Sequence, residues 1–99
     1  MAILCISTLP PEVTLDHVQA VSVEVNAGGP PDGGISHAVV VDGGRIRIFD
    51  VWESQEAMDT FTHERLVPAI QKLMGDADPS ELPQPEIQVF EAYDVMVAP

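Results

Sequence analysis

Ala2 to Leu9 form a largely apolar run of strand length closed by Pro10 and Pro11. A short run bounded in this way predicts a buried strand rather than a helix. Thr14 then suits a helix N-cap, and Leu15, Val18, Ser22 and Val25 recur at helical spacing with Val21 beside them, while Asp16 matches the positive end of a helix dipole. Val21 to Val25 also alternates with period two, and valine disfavours helices, so the helix is expected against a competing strand pattern.

Ala27 to Gly34 holds four glycines, two prolines and an aspartate, a composition that continues neither regular structure and marks a connecting loop. Ile35 to Val41 and Arg45 to Trp52 flank Asp42, Gly43 and Gly44, and Asp-Gly between two apolar runs is a strong hairpin signal. Ser54 caps the next helix, with Glu53 and Glu56 near its start. Met58, Phe61, Thr62, Leu66, Ala69, Ile70 and Leu73 trace its buried stripe. Pro68 would remove a hydrogen bond from a helix interior, so a break is expected near Arg65 to Val67, with a restart that holds Pro68 in its first turn. Gly75 is the natural stop. Asp76 to Pro85 carries three prolines and reads as a loop, and Ile87 to Val97 as a long final strand.

The order strand, helix, strand, strand, helix, strand predicts a ferredoxin-like α+β domain: a four-stranded antiparallel sheet with both helices on one face. Its second strand points Ile35, Val39 and Val41 one way and Ala38 and Val40 the other. The last strand sets Phe90 and Met96 against Val89, Val95 and Val97. Burial contributes about 25 cal/mol per Å² of apolar area, so the face without helices calls for a cover, and a second copy of the chain supplies one.

The length of 99 residues fits one domain spanning 1–99, with a core built from aliphatic side chains because only 5% of residues are aromatic. Sixteen acidic residues face four basic ones, Arg45, Arg47, Arg65 and Lys72, for a formal net charge of -12. Such a surface repels phosphate backbones, which argues against nucleic acid and anionic membranes as partners. The apolar start is short and soon meets two prolines, unlike a secretory signal, and no run is long enough to span a bilayer. Cys5 is the single cysteine, so no internal disulfide forms and a reducing cytoplasm is the expected compartment.

Val51-Trp52-Glu53-Ser54, continuing through Glu56-Ala57-Met58 and Phe61 to Arg65-Leu66 and Pro68-Ala69, resembles the antibiotic biosynthesis monooxygenase superfamily of dimeric α/β barrels. With the Gly34 to His37 strand start and the element order, the resemblance spans nearly the whole chain. It implies a homodimer whose sheets face each other and a pocket in each subunit between sheet and helices. The superfamily includes cofactor-free oxygenases of aromatic polyketides, haem-degrading monooxygenases, quinol oxygenases and ring-modifying enzymes. The haem-degrading members resemble one another in a first-strand asparagine, a second-helix tryptophan and a haem-ligating histidine. Here the two helix positions hold Phe61 and Ile70 and the first strand has no asparagine, which argues against haem cleavage.

Three readings follow from different classes. One is a cofactor-independent monooxygenase or related enzyme acting on a small aromatic or polyketide-like compound. Another is a non-catalytic dimeric module that binds a small hydrophobic ligand or serves assembly, and the third is a polyketide cyclase or stress-responsive barrel. For the first, His37 alternates with Ile35 and Val39 and should sit in apolar surroundings, placed to take a proton from a phenol or enol. The alternative is a hydrogen-bonded, inert histidine. Asp50, between Ile48 and Trp52, is a weaker catalytic candidate, and it could instead pair with Arg45 or Arg47.

Trp52 shares a strand face with Ile46, Ile48 and Asp50, and with Phe61 and Tyr93 is a candidate lining for an aromatic ligand. Core packing is the competing role for all three. No cofactor is expected. The histidines lack zinc spacing, the glycine-rich loop lacks a phosphate-binding Lys, Ser or Thr, and the serines show no nucleophile elbow. His17 and His63 read as solvated.

Overall fold

The computed structural model describes residues 1–75 and 84–96. Along the chain run β1 (Ile3–Thr8), α1 (Leu15–Asn26), β2 (Gly34–Asp42), β3 (Arg45–Trp52), α2 (Gln55–Phe61), a π-helical turn (Thr62–Leu66), α3 (Val67–Met74) and β4 (Glu86–Glu91). The strands form one antiparallel sheet in the order β2-β3-β1-β4, with the helices on one side. This is the ferredoxin-like arrangement expected from the element order.

Local chemistry explains the boundaries. Thr14 opens α1 with a capping box: its hydroxyl accepts from the His17 N–H, and His17 Nδ1 accepts from the Thr14 N–H, each at 3.3 Å. The valines of α1 did not convert it to a strand, because the cap fixes the helical start. Between β2 and β3 the two-residue turn Gly43-Gly44 has positive φ at both positions, the primed hairpin geometry that glycine adopts without a side-chain clash. Gly33 also has positive φ, and a Cβ built there would stand 2.5 Å from Ala57 Cβ. That close approach seats the start of α2 on the start of β2, where the Glu53 N–H donates to the Gly33 carbonyl at 2.8 Å.

The expected helix break at Arg65 to Val67 is absent, and the backbone instead widens into the π-helical turn, with the Val67 N–H reaching back to the Thr62 carbonyl. Pro68 has no N–H and crowds the carbonyl four residues earlier, so a one-residue slip of the hydrogen-bond ladder accommodates it without breaking the rod. Pro68 then lies in the first turn of α3, as expected. Leu73, assigned to the buried stripe, stands in the last turn of α3 and is exposed, whereas Ala69 of the same stripe is buried.

The last strand is shorter than expected. β1 begins at Ile3, opposite Glu91, and the Ala2 carbonyl takes the N–H of Ala92 at 2.8 Å. Beyond that point the protomer offers no further strand to pair with among the described residues. Val97 lies outside the described residues, as does most of the expected loop from Asp76 to Pro85.

Register assigns the faces. Ile3, Cys5 and Ser7 stand beside Trp52, Asp50 and Ile48, and these beside His37 and Val39. Ile3, Cys5, Ile46 and Trp52 are buried on this side and Ala69 is buried in α3, so it is the face under the helices. Leu4, Ile6, Phe49, Val51, Ala38, Val40 and Phe90 occupy the opposite, open face.

Candidate functional site

The hairpin dictates the central feature of the site. A two-residue turn closed by Asp42 and Arg45 fixes the β2–β3 register, and five residues back along each strand His37 stands opposite Asp50. Their side chains meet on the helix side of the sheet, where His37 Nδ1 and Asp50 Oδ1 form a hydrogen bond. The next strand places Cys5 opposite Asp50, so Cys5, Asp50 and His37 form a row across three strands.

This arrangement corrects two expectations. The His37 side chain is 58% exposed rather than enclosed by apolar groups, because β2 is an edge strand. Asp50, at 23% exposure, pairs with His37 and not with an arginine. Arg45 Nε donates instead to the Leu9 carbonyl at 3.0 Å, and Arg47 lies 3.9 Å from Asp42 with its guanidinium over the Phe49 ring. Odd-numbered β3 residues occupy the open face, so neither arginine can reach Asp50.

Chemically, a carboxylate that accepts the Nδ1 proton of an imidazole fixes the tautomer whose Nε2 carries a lone pair. Such a pair can take a proton from a weak acid and hold it as an imidazolium beside the carboxylate. Cys5 contributes no nucleophile here. Burial pushes its thiol above the ordinary range, a hydrogen bond with Ser7 at 3.9 Å offsets this in part, and the Asp50 charge raises it further.

Trp52 is only 4% exposed, and its ring lies 5.0 Å from that of Phe61 at a tilt of 44°. The core-packing role expected of both is therefore present. The indole Nε1–H is buried and has no hydrogen-bond partner among the described residues, a feature the residue pattern could not disclose. Tyr93 follows β4 and is 99% exposed, so in the protomer it neither packs in the core nor lines a cavity. His17 and His63 are exposed.

The helices cover the inner strands β1 and β3 and leave apolar side chains of the outer strands open on the same side: Val39 and Val41 of β2, and Ile87 and Val89 of β4. Val39 and Val41 continue the floor beside His37. Two surface depressions lie elsewhere. One, of about 240 Å³, is bounded by Glu24, Gly28, Arg65 and Lys72, and the other, of about 470 Å³, by Asp32, Glu53, Glu56, Phe61 and Arg65. Neither reaches His37 or Asp50, so the enclosed pocket expected over the sheet is not formed by the described residues of one protomer. Among these residues no cluster of three or more His, Cys, Asp or Glu could hold a metal ion, and no helix is long and apolar enough to cross a membrane.

No protein-family model matches the sequence, and no curated protein matches it. Similarity lies in the solved structures. Rv0793 from Mycobacterium tuberculosis superposes with a TM-score of 0.70 at 14% identity, over 98% of this chain and 100% of that one. SnoaB, a cofactor-independent oxygenase from Streptomyces nogalater, gives 0.66 at 13% identity over 96% of each chain. The heme-degrader MhuD from Mycobacterium tuberculosis, solved with two hemes in its active site, gives 0.57 at 16% identity over 98% of this chain and 100% of that one. The element order, the strand order and these superpositions agree that the chain shares the fold of these proteins, a likeness that extends to a putative antibiotic biosynthesis monooxygenase from Chloroflexus aurantiacus at a TM-score of 0.65 and 20% identity, over 98% of each chain.

Proposed function

We propose that this chain is a single-domain, cofactor-independent oxygenase, or a closely related enzyme, acting on a small aromatic or polyketide-like compound in a reducing cytoplasm. The observation that carries the reading is the His37–Asp50 hydrogen bond on the helix side of the sheet, beside an open apolar floor. His37 Nε2 removes a proton from an activated ring CH₂, and Asp50 holds the imidazolium that results. The carbanion adds to molecular oxygen to form a peroxide, which takes the proton back from His37. Elimination of water then leaves a ring carbonyl, so one CH₂ and one O₂ become one C=O and one H₂O. Trp52, two residues along β3 from Asp50 on the same face, is the proposed aromatic wall behind the pair.

The proposal includes a homodimer joined through the open sheet faces, which carry Leu4, Ile6, Phe49, Val51, Val40 and Phe90. The exposed Tyr93 then has a second copy to pack against and a route to the ligand. A non-catalytic ligand-binding module of the same fold is the second reading, favoured by the openness of the site in one protomer. Oxygen uptake with anthrones and quinols decides between them. The enzyme reading expects turnover that falls by about 10²–10⁴-fold in His37→Ala, with circular dichroism unchanged. Binding without oxygen uptake supports the module, and full activity in His37→Ala removes the base.

A further inference from the structure

Every cationic side chain of this protein is committed away from the candidate site. The sequence holds four Lys and Arg residues in all, and each is located. Arg45 and Arg47 belong to odd positions of β3 and occupy the open face, bound to the Leu9 carbonyl and to Asp42. Arg65 leaves the π-helical turn toward the end of α1. Its Nη1 donates to the Val25 and Gly29 carbonyls at 3.2 and 2.7 Å, and its Nη2 to the Gly28 carbonyl at 3.2 Å. Lys72 on α3 pairs with Glu24 of α1 at 3.1 Å.

The helix side of the sheet around His37 is charged in the opposite sense. Asp50 carries the carboxylate that orients His37, and Glu91 lies on the same face at the opposite edge of the sheet, in β4. Val39, Val41 and Ile48 extend an apolar surface from the pair toward the β2–β3 turn. A ligand that brought its own carboxylate would meet Asp50 with no arginine or lysine to neutralise either group. An uncharged aromatic compound loses nothing to that field, and when His37 takes its proton the new anion faces an imidazolium formed in the same step.

From this placement we infer that the site selects an uncharged aromatic substrate and discriminates against one that bears a carboxylate. The inference rests on the reading of His37 and Asp50 as the proton-abstracting pair and adds the charge class of the compound. It also bears on reaction order: the step that supplies the substrate must deliver a ring system whose acid groups are absent, esterified or amidated.

The test compares two compounds of one shape, an anthrone carrying a ring carboxylate and its methyl ester. Binding is read from fluorescence of Trp52, the single tryptophan, and turnover from oxygen uptake. The ester binds and the acid binds at least about tenfold more weakly, a gap that narrows as salt is raised. Val39→Arg, which sets a cation two residues along β2 from His37 on the same face, narrows the gap between acid and ester by strengthening binding of the acid. Equal binding of acid and ester to the parent protein overturns the inference, as does binding of neither. An ester that binds without consuming oxygen removes His37 as base while the charge preference stands.

Discussion

Among the described residues, Trp52 combines the deepest burial in the core with a nitrogen that has no partner. An N–H removed from water without a hydrogen bond costs about 1–3 kcal/mol, whereas the contact with Phe61 and the area buried by the ring favour the folded state. The two effects separate by substitution. Trp52→Phe keeps an aromatic ring beside Phe61 and removes the unpaired donor, so urea unfolding should place it within about 1 kcal/mol of the parent protein. Trp52→Ala, which leaves a cavity, should lose about 3–5 kcal/mol. A loss of stability in Trp52→Phe close to that of the Ala variant would mean that the indole N–H is satisfied in the folded protein.

At the scale of elements, the helical layer is held to its loop by one side chain. The π-helical turn that accommodates Pro68 carries Arg65 on its flank, and the guanidinium closes over three carbonyls from Val25, Gly28 and Gly29. Hydrogen bonds to a charged donor are worth about 1.5–3 kcal/mol each at most, and solvent at this half-exposed position reduces the total. Arg65→Met should therefore cost about 2–3 kcal/mol in urea unfolding and loosen the 27–34 loop, seen as faster hydrogen exchange there. Arg65→Lys should recover less than half of that loss, because one ammonium cannot span three acceptors in a fixed plane. Full recovery by lysine would reduce Arg65 to a point charge.

The same elements show what can be read from residues alone. Capping at Thr14 and Ser54, the Gly43-Gly44 turn and the apolar runs are local, and each element they imply is present. The His37–Asp50 pair was also legible in principle, since a two-residue turn at Asp42 and Arg45 brings them opposite each other. Arg45 and Arg47, nearer to Asp50 in sequence, compete as partners until alternation along β3 sends them to the other face. Less accessible were the π-helical turn, which is a compromise between Pro68 and continued packing, and the end of β4, which depends on where β1 begins. The burial of the Trp52 nitrogen depends on tertiary packing, including the Phe61 ring of α2, so no sequence spacing encodes it.

For the molecule as a whole, two physical tendencies oppose each other. The open sheet face presents Leu4, Ile6, Phe49, Val51, Val40 and Phe90 to water, and apolar area of this kind favours association at about 25 cal/mol per Å². Each copy also carries a formal charge of -12, which repels a second copy. Burial is short-ranged and largely indifferent to salt, while repulsion between exposed charges falls away once the screening length drops to about 8–10 Å near 0.1–0.15 M salt. Association should therefore strengthen as salt rises from low concentration into that range, the reverse of a complex held by opposite charges. Sedimentation velocity at micromolar protein should show the dimer fraction growing with sodium chloride. Phe49→Glu, which sets a carboxylate in the middle of the apolar face beside Ile6, should leave a folded monomer at every salt concentration. A parent protein that stays monomeric throughout, or a Phe49→Glu variant that dimerises as well as the parent, would show that the open face is not the contact, and the route by which Tyr93 reaches a ligand would be lost with it.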